Sequence, residues 1–278
     1  MKKILVPVDF SSTSENAASY AAQLSIEIHA ELILLHVYQY PVLLGDVPYP
    51  VEAYAQIADD AEKSLGELAE KLGRQLNGRR VAKTELKEGS FIHQLEVACK
   101  ENNPDVVVMG CSGVSAAGKF FFGSNALQAI RHLHHPVLLV PPGAAYSDIK
   151  QIGLLSDLVN AETSIPVRSA IHFVNALHAT LTVALITTGL DYTVPGSEET
   201  KRMEELFAPT PIELRSVHDE SFEDGVARFV KKCNLDLLII APFKHSFFSR
   251  LFQNTHTEQL LKHPIVPTLF LKAVEKKD

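Results

Sequence analysis

Two segments in the first half of the chain carry residues suited to binding phosphate. Gly110 directly follows an apolar run, and Gly113 comes three positions later. After nine further residues, Gly123-Ser124-Asn125 begins a stretch with helical spacing. Glycine lets the backbone come close to a ligand, and the free N–H groups at a helix start bind phosphate. The spacing favours a loop that holds a di- or triphosphate. The alternative is that the glycines only form turns and Ser124 is the helix N-cap.

Asp9 is a second candidate ligand residue, because it directly follows the apolar run Ile4–Val8. A carboxylate at the end of a strand can accept a hydrogen bond from a ribose hydroxyl or hold a metal ion that is bound to phosphate. It can equally cap the helix that follows. Residues 12–15, Ser-Thr-Ser-Glu, fit a capping box at the start of that helix. The residues alone leave both roles of Asp9 open.

The histidines and cysteines form no comparable pattern. His132 and His135 are three residues apart at a predicted helix end, where the helix dipole favours histidine in any case. The sequence has no Cys-x-x-Cys and no His-Glu-x-x-His, so we expect no dedicated metal site. Cys111 lies within the glycine segment, where it is either a small loop residue or a redox-sensitive thiol.

The elements that must position these residues alternate between strands and helices. Short apolar runs are typical of strands that are buried on both faces. The predicted strands are Ile4–Val8, Leu32–Val37, Val81–Leu86, Val106–Met109 and Val137–Val140. The predicted helices follow Asp9, cover about Ala55–Leu76 and Phe91–Asn102, and begin after Gly123. This order predicts a doubly wound parallel α/β sheet with helices on both faces and a ligand crevice beyond the carboxyl ends of its strands.

The same pattern occurs twice in the 278 residues, on either side of Pro141-Pro142-Gly143. Four segments recur in the same order: Lys3–Asp9 as Gln151–Asp157, Ala30–Val37 as Ala179–Ile186, Asn103–Met109 as Asn234–Ile240, and His135–Val140 as Pro264–Leu271. We therefore expect a tandem duplication with two Rossmann-like domains, residues 1–143 and 144–278. Each would contain a five-stranded parallel sheet.

Composition excludes several classes of protein. The net charge of -7 and the pI of about 5.9 argue against a nucleic-acid binder. No apolar run reaches the roughly 18–20 residues that cross a bilayer, and the N-terminus lacks a signal-peptide core. Three widely spaced cysteines fit a reducing compartment. We expect a cytoplasmic protein that contacts no membrane.

The spacing Gly110-x-x-Gly113, nine residues, then Gly123-Ser124 resembles the G-2x-G-9x-G-(S/T) signature of the universal stress protein family. The segments Ile4–Asp9 and His135–Val140 are also similar to that family. The resemblance implies that the first domain binds ATP, or ADP or AMP, with Mg²⁺ near Asp9. It also implies that adenine contacts the backbone at the end of the second strand. The implied binding residues are Pro7, Val8, Asp9, His36, Val37, Met109, Gly110, Gly113, Gly123, Ser124 and Asn125.

The second half keeps the predicted strands and loses the glycine loop. Ala241, Lys244 and Asn254 align with Gly110, Gly113 and Gly123, and Pro242 removes a backbone donor. We therefore expect a degenerate second domain that binds no nucleotide in this manner. The fifth strand pairs edge to edge in dimers of the family. The resemblance thus implies an internal pseudo-dimer in which 136–140 pairs with 264–271, and a homodimer of whole chains is left open.

The expected function is a nucleotide-dependent module for stress response or signalling. Ser124 has no identifiable histidine partner in the motif, so we expect at most weak ATPase activity. Two alternatives remain open at this point: a slow ATP hydrolase, and a scaffold that binds no nucleotide.

Overall fold

The computed structural model describes residues 1–40, 51–78, 82–111, 123–155, 165–188, 196–240 and 266–272. The first half contains β1 (Lys3–Val8), α1 (Ser12–Glu27), β2 (Glu31–Tyr38), α2 (Val51–Gln75), β3 (Lys83–Glu88), α3 (Phe91–Asn102), β4 (Val106–Gly110), α4 (Ser124–His132) and β5 (Val137–Val140). The second half contains β6 (Gln151–Leu155), α5 (Val167–Ala176), β7 (Thr180–Thr188), α6 (Ser197–Phe207), β8 (Ile212–Asp219), α7 (Phe222–Lys232), β9 (Leu237–Ile240) and β10 (Thr268–Phe270).

The described strands form one ten-stranded sheet in the order β3-β2-β1-β4-β5-β10-β9-β6-β7-β8. Outward from the centre, β5-β4-β1-β2-β3 of the first half matches β10-β9-β6-β7-β8 of the second. Within each half the paired strands are parallel. The predicted α/β class, with a doubly wound five-stranded sheet in each half, is confirmed. The domain boundary at residue 143 stays a prediction.

The two halves join where β5 pairs with β10. This pair is antiparallel, with Leu138 opposite Leu269 and Val137 opposite Phe270. Each half therefore covers an edge that would otherwise present unpaired backbone groups. The pairing predicted between 136–140 and 264–271 is confirmed over β10.

The core also connects the halves. On one face of the sheet, a single buried cluster contains residues of both halves, including Leu138, Val140, Ile152 and Leu269. On the other face, a cluster around Leu5 and Leu139 lies under the helices of the first half and includes Phe270 of β10. Burial of this apolar surface is the main favourable contribution to folding.

Matching local contacts support the duplication. The carboxylate of Asp105 accepts hydrogen bonds from the backbone N–H groups of Lys2 and Lys3 at 2.5 and 3.0 Å. Asp236 accepts the equivalent bonds from Lys150 and Gln151 at 2.8 and 2.9 Å. In each half, this aspartate fixes the start of the central strand against its neighbour.

Some element boundaries differ from those predicted. The third strand covers 83–88 instead of 81–86, and the long helix begins at Val51 instead of about Ala55. The charged residues of β3 obscure the apolar pattern by which a strand is predicted. They are tolerated because β3 lies at an edge of the sheet, where one face is exposed. Among the described helices, none is both long and apolar enough to cross a membrane.

Candidate functional site

A cleft of about 280 Å³ lies beyond the carboxyl ends of β1 and β4. β1 has β2 on one side and β4 on the other, so the order of strands along the chain reverses between β1 and β4. The crevice at such a reversal is where open α/β sheets bind ligands. The lining residues are Pro7, Val8, Asp9, Ser11, Thr13, Ser14, Val37, Phe91, Met109, Gly110, Gly123, Ser124, Asn125 and Ala126.

Asp9 forms a tight turn between β1 and α1. Its Oδ1 accepts hydrogen bonds from the N–H and the hydroxyl of Ser11, at 3.0 and 2.6 Å. Ser11 is the N-cap of α1, and its Oγ accepts from the N–H of Ser14 at 3.2 Å. The capping box predicted over residues 12–15 is wrong, because the N-cap is Ser11, one residue earlier, and Ser14 instead of Glu15 stands at the third helical position. Asp9 supports the cap and is not itself the N-cap.

The carboxylate of Asp9 is exposed and keeps its charge. Burial raises its pKa, but hydrogen bonds from Ser11 and Ser14 outweigh burial and hold the pKa below the ordinary value. Asp9 is therefore ionised at neutral pH. Such a carboxylate attracts a hydroxyl donor or a cation and repels a bare phosphate.

Gly110 is required by packing. A Cβ at this position would lie 2.5 Å from the carbonyl oxygen of Thr13 and 2.8 Å from its carbonyl carbon. The first turn of α1 thus lies directly against the end of β4, which only a residue without a side chain permits. We expected a ligand to lie close to the backbone of Gly110. In the structure, the first turn of α1 lies there.

The first turn of α4 opens into the cleft. Its N-cap is Gly123, which makes no side-chain capping bond, and Ser124 is the first helical residue. The alternative interpretation of Ser124 as N-cap is therefore wrong. Among the described residues, no side chain caps the N–H groups of residues 124–126, and the side chains of Ser124 and Asn125 are exposed beside them. An uncapped helix start of this kind favours an anion.

The opposite part of the cleft is apolar. Val37, Phe91 and Met109 line it and pack against the buried cluster around Leu5. β1 last pairs with β2 where Val8 lies opposite His36, so β2 continues past the end of β1 at Val37. The carbonyl group of Val37 therefore lies beyond the last β1–β2 pair, next to the cleft that its side chain lines.

His36 does not line the cleft. Its Nδ1–H donates to the carbonyl oxygen of Val8 at 2.7 Å, and its ring lies 4.4 Å from the ring of Phe10. Successive side chains of a strand point to opposite faces, so Val37 lines the cleft and His36 does not. The His36 side chain instead holds the ends of β1 and β2 together.

The structure brings most of the predicted site residues together. Pro7, Val8, Asp9, Val37, Met109, Gly110, Gly123, Ser124 and Asn125 share the one cleft. Gly113 lies outside the described residues. The cleft also contains residues that were not predicted, namely Ser11, Thr13, Ser14, Phe91 and Ala126. Phe91 could have been predicted as a site residue, because it directly follows Gly89-Ser90 and begins a helix after a strand.

The thiol next to the cleft, that of Cys111, is buried. Cys111 is fully buried, and burial raises its pKa to about 12. The reactive thiolate form is therefore disfavoured at this position, which supports the interpretation of Cys111 as a small loop residue. In the part of the chain that the structure describes, no three His, Cys, Asp or Glu residues are grouped so that they could hold a metal ion.

The corresponding crevice of the second half lies outside the described residues, together with Asp157, Ala241, Pro242, Lys244 and Asn254. A larger cleft of about 630 Å³ in this half lies at the other end of the sheet, against the amino ends of β6, β7 and β8. It is not the counterpart of the first-half cleft.

Fold and cleft together define a doubly wound α/β protein whose ligand crevice lies at the topological switch point. Residues 1–141 match the sequence pattern of the universal stress protein family. The chain belongs to that family.

Sequence relatives match half of the chain, whereas some solved structures match nearly all of it. A universal stress protein of Methanocaldococcus jannaschii is 28% identical over 141 residues, which are 50% of this chain and 81% of the relative. One from Thermus aquaticus is 30% identical over 140 residues, covering 50% of this chain and 98% of the relative. The crystal structure of a universal stress protein from Archaeoglobus fulgidus has a TM-score of 0.70 at 15% identity, covering 97% of this chain and 98% of that one. This last similarity extends through both halves and shows the fold.

Proposed function

We propose that the first half binds an adenine nucleotide, ATP, and that the bound state acts in stress response or signalling. The observation that carries the proposal is the uncapped first turn of α4. It opens into the same cleft as the Asp9 carboxylate and the apolar residues Val37 and Phe91. The cleft therefore has a polar part and an apolar part, as a nucleotide does.

The polar part suits phosphates. The N–H groups of residues 124–126 and the hydroxyl of Ser124 supply donors, and the helix dipole favours negative charge. Among the described residues that line the cleft, none is lysine, arginine or histidine. A triphosphate would therefore need a cation such as Mg²⁺ for charge balance. Asp9, whose Oδ1 is already committed to Ser11, would hold that cation or accept from a ribose hydroxyl.

The apolar part suits the base. Phe91 and Met109 offer an apolar surface to a flat ring, and aromatic side chains stack well on nucleobases. The carbonyl group of Val37, beyond the last β1–β2 pair, would accept a hydrogen bond from the amino group of adenine. We propose that adenine lies at this end and that the ribose spans the carboxyl end of β1.

A single charge on α4 tests the proposal. Asn125→Asp keeps the size of the side chain and places a carboxylate beside the phosphate donors. An acidic residue in the first turn does not destabilise a helix. We expect ATP affinity, measured by isothermal titration calorimetry with Mg²⁺, to fall at least about ten-fold, because like charges about 4 Å apart repel strongly near a protein surface.

Gln128→Glu is the matched control. It makes the same charge change one turn further along α4, at a residue that does not line the cleft. This variant should bind ATP within about two-fold of the parent chain. Equal loss in both variants, or no binding by the parent chain, would overturn the proposal.

We also propose that the second half holds no nucleotide in this way. Support comes from the sequence, where side chains replace all three loop glycines and Pro242 removes a donor. One ATP per chain is the expected stoichiometry. A steady release of phosphate from ATP by the purified chain would instead favour the hydrolase alternative.

A further inference from the structure

The second half contributes residues to the underside of the helix that forms the proposed phosphate site. β10 pairs with β5, and Phe270 of β10 lies opposite Val137. Phe270 is 2% exposed and belongs to the buried cluster that contains Ala126, Ala129 and Ile130 of α4. Ala126 also lines the cleft. One packed cluster thus extends from the cleft to a side chain of the second half.

Lys272 makes a direct contact with the far end of α4. Its Nζ donates a hydrogen bond to the carbonyl oxygen of Ile130. The last carbonyl groups of a helix have no partner within the helix, and a cation is favoured beside them. The C-cap N–H, that of Leu133, is bonded to Ala129, so Lys272 binds a neighbouring carbonyl at the same helix end. Burial lowers the pKa of Lys272 to about 8.

The two ends of α4 lie close together. α4 has nine residues, which span about 13 Å. Its carboxyl end contacts Lys272, and its amino end opens into the cleft. Loss of the hydrogen bond at Ile130 would let the helix tilt about its packed face. Such a tilt displaces the N–H groups of residues 124–126.

We infer that Lys272 and Phe270, both in the second half, position α4 and thereby set the affinity of the first-half cleft for phosphate. The inference rests on the proposed nucleotide function for its consequence, but the positioning of α4 is measurable without any ligand. It gives the second half a role in binding even though it holds no nucleotide itself. By linkage, bound ATP strengthens the contact between the halves as much as that contact strengthens ATP binding.

Three variants of the full chain test the inference. Lys272→Met keeps the length and apolar stem of the side chain and removes the donor. Lys272→Arg keeps a donor and a charge. Lys201→Met makes the same change at an exposed lysine on α6 of the second half.

The first measurement is amide hydrogen exchange of the ligand-free chain over residues 127–130, whose N–H groups are the first that bond within α4. Lys272→Met should speed exchange there about five-fold or more, whereas Lys272→Arg and Lys201→Met should match the parent. Unchanged exchange in Lys272→Met overturns the inference, whether or not the chain binds ATP. Equally faster exchange throughout the chain also overturns it, because that result indicates general destabilisation.

The second measurement is the affinity for Mg²⁺-ATP. Lys272→Met should weaken binding about five-fold or more, and Lys272→Arg should restore it to within about two-fold. Phe270→Leu, which keeps the site apolar, should weaken binding in the same direction. Faster exchange in α4 with unchanged ATP affinity would overturn the role in binding. Absence of ATP binding by the parent chain would overturn the proposed function alone and leave the exchange result to decide the positioning of α4.

Discussion

Gly110→Ala should destabilise the chain even though it adds a single methyl group. The new Cβ would lie 2.5 Å from the carbonyl oxygen of Thr13, whereas real Cβ contacts are essentially never below 3.0 Å. β4 and α1 would therefore have to separate by about 0.5 Å. The obstructing atoms belong to the backbone, so no change of rotamer relieves the contact. Overpacking of this kind costs about 1–3 kcal/mol.

Gly66→Ala is the matched control for this prediction. Gly66 lies within α2, and a Cβ there meets nothing within 4 Å. Alanine is the better helix former, so this variant should be more stable by about 0.5–1 kcal/mol. The two substitutions are chemically identical and should shift stability in opposite directions.

Urea unfolding followed by circular dichroism measures both effects. We expect the midpoint to fall for Gly110→Ala and to rise for Gly66→Ala, with similar slopes. A midpoint for Gly110→Ala equal to that of the parent would refute the explanation that α1 requires a glycine at this position. In that case the close approach between Thr13 and β4 would not affect the free energy of unfolding.

Three further predictions concern the cap of α1, the Asp9 carboxylate and the thiols. Ser11→Ala should cost about 1 kcal/mol in urea unfolding through loss of the N-cap bond to Ser14, and Ser12→Ala should be near neutral; the reverse order would place the cap at Ser12. The folded-state pKa of Asp9 is lowered, so its ionised form stabilises the fold above the ordinary pKa and this contribution is lost below about pH 4. The melting temperature of Asp9→Asn should therefore lie below that of the parent at pH 6 and approach it at pH 3, and a constant difference would contradict this. Iodoacetamide at pH 8 should label native Cys233 alone, because Cys99 and Cys111 are buried; mass spectrometry showing two or three labels per native chain would disagree.

The repeated strands were predictable from the sequence because strands buried on both faces are continuous apolar runs. Val106–Met109 and its echo Leu237–Ile240 are of this kind, and the internal pairing of β5 with β10 followed from the family resemblance. β3 was less well placed, because an edge strand has charged residues on its exposed side.

Site residues were predictable where the end of a strand fixes their position. They were not predictable where several neighbouring side chains could make the same hydrogen bond. Asp9, Gly110 and Gly123 follow strand ends or precede a helix, and all three line the cleft. Which serine caps α1 depends on the backbone angle at Ser11, which composition does not reveal. The packing reason for Gly110 could not be found from the sequence either, because it depends on Thr13, almost a hundred residues earlier in the chain.

A crystal structure of the full chain grown with Mg²⁺ and ATP is the most direct test of nucleotide binding by the first half. We expect one nucleotide per chain, with its phosphates within hydrogen-bonding distance of the N–H groups of residues 124–126 and its base against Val37 and Phe91. Density for ATP at the carboxyl ends of β6 and β9 in the second half, or a cleft without nucleotide at saturating ATP, would contradict the proposal.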